Sequence, residues 1–166
     1  MRSPARVFWP LAFTLVLADC TSKRVIEETT QLIGVPRPIV DTFVQFTLAY
    51  NTGAAFSTHF GPYQRWVLIA STLITLGVLA RWYGQLTKMG RTAVVGLALV
   101  VGGAVGNLLD RLISDRGVVD FIDIGVGSTR FYVFNIADVG VTVGAVLLGY
   151  ALLRSERPAA AAAPEA

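Results

Sequence analysis

Four long apolar runs divide the chain, at residues 7–26, 66–83, 92–109 and 136–153. Each run is close to the ~20 residues that an α-helix needs to cross the hydrocarbon core of a bilayer. The pattern therefore predicts an α-helical membrane protein with four transmembrane helices.

The segments between these runs carry strand patterns. In DTFVQFTLAY, residues 41–50, apolar side chains alternate with smaller or polar ones, which is typical of a half-buried strand. In the second segment, VVDFIDI and RFYVF are rich in β-branched and aromatic residues, and a glycine-containing stretch separates them, which predicts a hairpin. We expect a small extracytoplasmic β platform formed by residues of about 39–60 and 117–134.

Composition supports a membrane protein. Hydrophobic residues make up 54% of the chain and charged residues 15%, against about 45–50% and about 25% in soluble domains. Residues 1–154 are predicted to form one membrane domain. Residues 155–166 are rich in Ala and Pro and are predicted to be a mobile cytoplasmic tail.

Basic residues predict the orientation of the helices. They precede the first run, crowd the short link between the second and third runs, and follow the fourth: Arg2, Arg6, Arg81, Lys88, Arg91, Arg154 and Arg157. As many basic residues lie on the other side, but they are spread over two much longer segments. By the positive-inside rule, both termini are expected in the cytoplasm.

Several classes of function are disfavoured. The net charge of +3 comes from residues spread over helix ends and loops, whereas a nucleic-acid surface needs basic residues clustered on one soluble face. The single cysteine excludes an internal disulfide, and one histidine without an HExxH motif argues against a zinc site. We therefore expect no nucleic-acid partner, metal or cofactor.

Charged and amide side chains at membrane depth are costly, so their positions carry information about function. With the predicted topology, they meet at the outer membrane boundary: Asp19, Asn51, Asn107, Asp110, Arg111, Asp120, Asp123, Asn135 and Asp138. Two nearby carboxylates can share a proton and then act on water as acid and base. Spacing does not choose the pair, although Asp120 and Asp123 should face opposite sides of a strand.

Five sequence blocks resemble those of lipoprotein signal peptidase (signal peptidase II), a family of bacterial aspartyl proteases of the cytoplasmic membrane. The blocks follow in order along nearly the whole chain: DCTSK at 19–23, YNTGAAF at 50–56, GGAVGNLLDR at 102–111, VVDFID at 118–123 and FNIAD at 134–138.

The resemblance implies an aspartic endopeptidase with Asp120 and Asp138 as its catalytic dyad. It implies supporting or substrate-binding roles for five residues: Asp19, Asn51, Asn107, Arg111 and Asn135. The substrate would be a prolipoprotein whose cysteine carries diacylglycerol, cut on the amino side of that cysteine by water that the dyad activates. It further implies an inner-membrane enzyme with its site near the outer face and membrane lipids as partners; we expect a monomer that needs no cofactor.

Two other functions fit parts of the pattern. A small transporter or channel subunit would use the acids as a proton or cation relay, but it would be expected to spread them through the membrane depth. A lipoprotein anchored through Cys20 would leave three apolar runs unexplained and would require removal of Asp19.

Structural interpretations also apply to single residues. The glycines of GGAVG are expected to permit close helix packing. Asp110 is expected to pair with Arg111, and Lys23 to mark a helix end at the headgroups. Asp138 opens the fourth run, so it fits a helix N-terminal cap as well as a catalytic role.

Overall fold

Four helices and four short strands make up the computed structural model, which describes residues 3–30, 32–53 and 61–155. In chain order the elements are α1 (Ala5–Thr29), β1 (Arg37–Val40), β2 (Val44–Asn51), α2 (Gln64–Leu86), α3 (Arg91–Ile113), β3 (Val118–Val126), β4 (Thr129–Arg130) and α4 (Ile136–Ser155). The predicted tail beyond residue 155 and residues 54–60 of the first outer segment lie outside the described residues.

In the described part of the chain, three helical segments are long and apolar enough to cross a membrane: Gly61–Met89, Arg91–Ile113 and Ile136–Ser155. The protein is therefore a mostly helical membrane protein with a small antiparallel sheet. The predicted first span coincides with α1, a continuous helix of 25 residues. Asp19, Lys23 and Arg24 lower the mean hydropathy of its second half, so a fourth span stays a prediction.

Helix α3 lies at the centre of the bundle and approaches its neighbours through glycines. A Cβ atom added at Gly102 would lie 2.8 Å from the backbone oxygen of Ala12 on α1. Gly96 of α3 faces Gly144 of α4. A Cβ added at Gly96 would lie 2.9 Å from the Gly144 carbonyl oxygen, and a Cβ added at Gly144 would lie 2.6 Å from the Gly96 carbonyl oxygen. Such distances leave no room for a side chain, so the predicted packing role of the α3 glycines is confirmed.

The strands form one antiparallel sheet in the order β1-β2-β3-β4. Strand β2 pairs with β3 in a register that sets Ala49 opposite Asp120 and Asn51 opposite Val118. Buried Ile26 of α1 packs with Leu48, Val119 and Phe121 of the sheet. These contacts fix the sheet against the carboxyl-terminal end of α1.

Strand β2 lies within the predicted segment, but its burial differs from the expected pattern. Gln45 and Thr47, on the face predicted to be polar and open, are buried. The Thr47 hydroxyl donates to the Asp123 carboxylate at 2.9 Å. Both faces of the strand are therefore covered, and the prediction of a half-buried strand was wrong. Thr47 can be buried because the Asp123 carboxylate accepts its hydroxyl hydrogen bond.

The predicted hairpin is also shorter than expected. Only Thr129–Arg130 forms a regular strand opposite β3, and after the Phe131 N–H, which donates to the Ile124 carbonyl oxygen at 2.7 Å, the RFYVF segment leaves the ladder. It returns at Phe134, which exchanges backbone hydrogen bonds with Ile122. This single bridge ties the end of the segment to β3 immediately before α4 begins.

The close approach of α3 and α4 can be tested by substitution. Gly144→Val should destabilise the fold by about 1–3 kcal/mol, because the new side chain would overlap the α3 backbone. Gly149→Val is the matched control, since a Cβ at Gly149 on the same helix meets nothing within 4 Å. Thermal unfolding in detergent, followed by circular dichroism, measures both; equal midpoints would contradict the packing role of Gly144.

Candidate active site

The seven residues proposed from the sequence lie at the sheet end of the helix bundle. Helices α1 and α3 supply Asp19, Asn107 and Arg111 from their carboxyl-terminal halves, and β2 and β3 supply Asn51 and Asp120. Asn135 and Asp138 stand at the start of α4. Hydrogen bonds join five of these side chains into one connected network: Asn51, Asn107, Asp120, Asn135 and Asp138. Arg111 joins it through the Asn107 backbone, and Asp19 joins it through the Ala137 backbone of α4.

Asn135 is the central residue of this network and is fully buried. Its Nδ2 donates to Asp120 Oδ1 at 2.6 Å and to Asn107 Oδ1 at 3.1 Å. Its backbone N–H donates to Asp138 Oδ2 at 3.2 Å, while its own Oδ1 accepts the Asp138 backbone N–H at 2.9 Å. One residue thus contacts both candidate catalytic carboxylates.

The reciprocal bonds between Asn135 and Asp138 form a capping box at the amino terminus of α4. The capping interpretation of Asp138 is therefore confirmed in its geometry. Asp138 Oδ1 remains available for a second partner, and Asn107 Nδ2 donates to it at 2.8 Å. Capping fixes the carboxylate in place without consuming all of its acceptor positions.

Asp120 lies deeper than Asp138, with 2% of its surface exposed. Its Oδ2 accepts Asn51 Nδ2 at 3.0 Å, and Asn51 is itself held by a Gly53 N–H bond to its Oδ1 at 3.0 Å. Burial raises the pKa of Asp120 to about 6, and the charge of Asp138 acts in the same direction. The hydrogen bonds from Asn51 and Asn135 lower that pKa but do not overcome desolvation.

Asp19 connects α1 to the first turn of α4, next to this network. Its Oδ1 accepts the Ala137 backbone N–H of α4 at 2.8 Å. A Cβ atom added at Gly106 would lie 2.6 Å from Asp19 Oδ2, so α3 needs a glycine at this point. Arg111 reaches back along α3, where its Nη1 donates to the Asn107 carbonyl oxygen at 3.2 Å.

Lys23 is the site residue that the sequence analysis missed. It is 2% exposed, and its ammonium group lies 2.7 Å from Asp19 Oδ2 and 2.9 Å from Asp110 Oδ2. Its assignment to the headgroup region was therefore wrong. The four-residue spacing from Asp19 puts both side chains on one helical face, and that spacing was the signal available in the sequence.

The expected pairing of Asp110 with Arg111 was also wrong. Asp110 Oδ2 contacts Lys23 and accepts the Val119 backbone N–H at 3.1 Å, which ties α3 to the start of β3. Adjacent residues on a helix point in different directions, and Arg111 turns toward its own helix backbone.

Asp123 lies apart from the network, as strand alternation predicts. Its carboxylate accepts Arg130 Nε and the Thr47 hydroxyl, each at 2.9 Å. Among the described residues, no group of three or more His, Cys, Asp or Glu side chains is placed to hold a metal ion. A cation already lies between Asp19 and Asp110, namely the ammonium group of Lys23.

The arrangement offers a defined chemistry. Asp120 and Asp138 are bound to the same asparagine, and Asp120 is the more deeply buried, so burial favours its neutral form. A neutral carboxylic acid beside a carboxylate can protonate a leaving group while the carboxylate takes a proton from water. Hydrolysis by an activated water is the reaction class that suits this pair.

Comparisons with known proteins agree with this chemistry. The family model described as signal peptidase (SPase) II matches residues 11–154. The lipoprotein signal peptidase of Hydrogenovibrio crunogenus is 39% identical over 140 residues, which cover 83% of this chain and 80% of that protein. The lipoprotein signal peptidase of Ectopseudomonas mendocina is 38% identical over 159 residues, which cover 93% of each chain.

A solved structure supports the same relationship. A bacterial membrane enzyme determined by the in meso method at 2.3 Å resolution superposes with a TM-score of 0.77 at 29% identity, covering 93% of this chain and 92% of the other. The match of the family model and the identity to its members extend over most of the chain. The chain therefore belongs to the signal peptidase II family of aspartic peptidases.

Proposed function

We propose that the protein removes signal peptides from prolipoproteins whose cysteine carries diacylglycerol, cutting on the amino side of that cysteine. Asp120 and Asp138 form the catalytic dyad. The observation that carries this proposal is the pair of contacts from Asn135, which binds Asp120 through its side chain and Asp138 through its backbone. No cofactor takes part in the reaction.

The dyad activates water for direct attack on the scissile carbonyl carbon. Asp120 carries the shared proton, because its deeper burial disfavours its charged form. Asp138 is the base in this proposal: its carboxylate accepts a proton from the attacking water. Asp120 then protonates the departing amide nitrogen, and the peptide bond breaks without a covalent enzyme intermediate.

The remaining polar residues hold the dyad in place. Asn51 and Asn135 orient Asp120, and Asn107 orients Asp138 from the opposite side. Asp19 fixes the first turn of α4 through the Ala137 N–H, which limits movement of Asp138. Arg111 interacts electrostatically with Asp138, Asp110 and Asp120, and in this proposal its guanidinium group binds the substrate backbone or its developing charge.

Helix α1 forms a fourth membrane span in this proposal. Its polar residues Asp19 and Lys23 are buried against the bundle, whereas Trp9, Phe13 and Leu17 expose large apolar surfaces. That distribution suits a helix whose outer side faces lipid and whose charges are paired inside.

The same proposal gives the orientation in the membrane. Both termini are cytoplasmic, and the sheet and the dyad lie at the outer face of the bacterial inner membrane. A signal helix and two acyl chains embedded in lipid would bring the scissile bond to this level, where water has access. The protein acts as a monomer with prolipoproteins and membrane lipids as its partners.

Removal of either carboxylate tests the dyad. Asp120→Asn and Asp138→Asn should each reduce turnover of a lipidated precursor peptide by about 1,000-fold, because an amide can neither take a proton from water nor donate an acidic one. Asp41→Asn is the control: this residue is exposed between β1 and β2, and Asn tolerates its positive φ of 47°.

The assay uses purified protein in lipid with lipidated and unlipidated forms of one peptide. Only the lipidated form should be cleaved. Turnover by either dyad variant at the level of Asp41→Asn would refute the catalytic assignment.

The protonation state of Asp120 is a second test. Carbonyl-carbon NMR of labelled aspartate should show a carboxyl that titrates near pH 6, well above the usual 3.8. Asp138→Asn should lower this pKa because it removes a negative charge, and Asn51→Ala should raise it because the carboxylate loses a donor.

The direction of the stability effect follows from the same shift. Folding favours the protonated form of Asp120, so its contribution to the free energy of unfolding is complete below pH 3.8 and is lost as the pH rises through 6. An Asp120 pKa of 4 or below would contradict its assignment as the protonated member.

A further inference from the structure

Lys23 makes a contact that charge neutralisation does not require. Its ammonium group already lies against two carboxylates, Asp19 and Asp110. Its third partner is the neutral Asn107, whose Oδ1 lies 3.0 Å from Nζ. All three partners thus lie within 3.0 Å of the same nitrogen.

The contact determines which way the Asn107 amide points. An asparagine side chain has a donor end and an acceptor end, and half a turn exchanges them. In the observed orientation Oδ1 receives Lys23 and Asn135 Nδ2, and Nδ2 donates to Asp138. The reversed orientation would set an NH₂ group against two donors and a carbonyl oxygen against a carboxylate.

Asn135 alone would bias this choice less strongly than Lys23 does. Its Nδ2 contact with Asn107 is 3.1 Å, and the same group donates a shorter bond of 2.6 Å to Asp120. The bond from Lys23 comes from a charged donor, and such bonds are about twice as strong as neutral ones. Of the two donors to Asn107 Oδ1, the buried cation is therefore the stronger constraint on the amide, and it favours the same orientation as the Asp138 carboxylate does at Nδ2.

We propose that Lys23 is a positioning residue for peptide hydrolysis: it fixes the Asn107 amide in the orientation that donates to Asp138. This inference rests on the proposed function, because Asp138 matters here as a member of the dyad. Lys23 touches neither dyad carboxylate among its hydrogen-bond partners and acts through Asn107.

The charge of Lys23 also affects a second measurable property of the site, the pKa of Asp120. It lowers the pKa of Asp120, against the stronger effect of burial. Charged and polar groups from the surrounding elements also act on that carboxyl: Asp138 of α4, Asn135, Asn51 of β2 and Arg111 of α3. Removal of Lys23 alone should therefore raise the pKa of Asp120 and move the pH profile of kcat upward.

Lys23→Met tests the inference, since methionine is unbranched and has neither charge nor donor. We expect kcat for the lipidated peptide to fall about 100-fold, because the misplaced carboxylate no longer aligns the water, while KM stays unchanged. Arg24→Met is the matched control, because Arg24 is the next residue in the chain. The Arg24 side chain is 75% exposed, and its only ion pair in the described structure is with Glu28. This control should keep the wild-type kcat and the wild-type Asp120 pKa.

A second variant separates positioning from folding. Lys23→Met leaves the Asp19 and Asp110 carboxylates without their cation, whereas the double variant Asp19→Asn/Lys23→Met also removes the charge of the fully buried Asp19. The double variant should recover part of the lost thermal stability, because Asp110 is partly exposed and keeps the Val119 N–H and the new asparagine can still accept the Ala137 N–H, yet its kcat should remain low. Asp19→Asn alone keeps the Lys23 bond to Asn107 and should lose less activity than Lys23→Met.

Three outcomes would overturn the inference: wild-type kcat in Lys23→Met, recovery of kcat together with stability in the double variant, or failure of both to fold, which would make Lys23 purely structural. The dyad variants Asp120→Asn and Asp138→Asn are assayed alongside. If they are inactive while Lys23→Met is active, the positioning role alone fails. If they retain turnover, the proposed function fails as well.

Discussion

The structure depends on how four carboxylates are held at the sheet end of the helix bundle, largely shielded from water. A buried carboxylate without partners is destabilising, so each acid here has a compensating donor. Asp19 and Asp110 share the ammonium group of Lys23. Asp120 and Asp138 instead receive neutral N–H donors, chiefly from Asn135 and Asn107. The charged donor is thus beside two of the acids, and the other two are bound by amide groups.

Amides rather than cations bond to Asp120 and Asp138. A cation bound directly to Asp120 would favour its ionised form. Amide donors fix the carboxylate with a smaller effect on that equilibrium, and burial then raises its pKa. Asn135 also caps α4, so the bonds that stabilise this helix terminus also set the positions of both carboxylates.

The helix bundle makes the network possible through close approach. Glycines on α3 let α1 and α4 come near enough for Asp19 of one to bond the backbone of the other. A larger residue at Gly106 would displace the Asp19 carboxylate. Helix α1 runs unbroken through Cys20, and this brings Asp19 and Lys23 on either side of that cysteine into contact with α4 and α3.

Several features were determined by the sequence alone. The apolar runs are long enough to specify membrane helices whatever their partners, and three of them meet that description by length and hydropathy. The strand segments were predicted because alternation and β-branched residues act locally. The acids and asparagines were predicted to meet because they lie at matching helix ends, and the family followed from short blocks of such residues.

The tertiary structure decided which partner each side chain takes. Lys23 could equally have faced the headgroups, and Asp110 could have faced Arg111, because both alternatives satisfy local spacing. Burial of Gln45 and Thr47, the single bridge at Phe134, and the rotation of the Asn107 amide all depend on groups distant in the chain. Hydrogen-bond pairing between distant elements is settled by packing, and no periodicity in one segment records it.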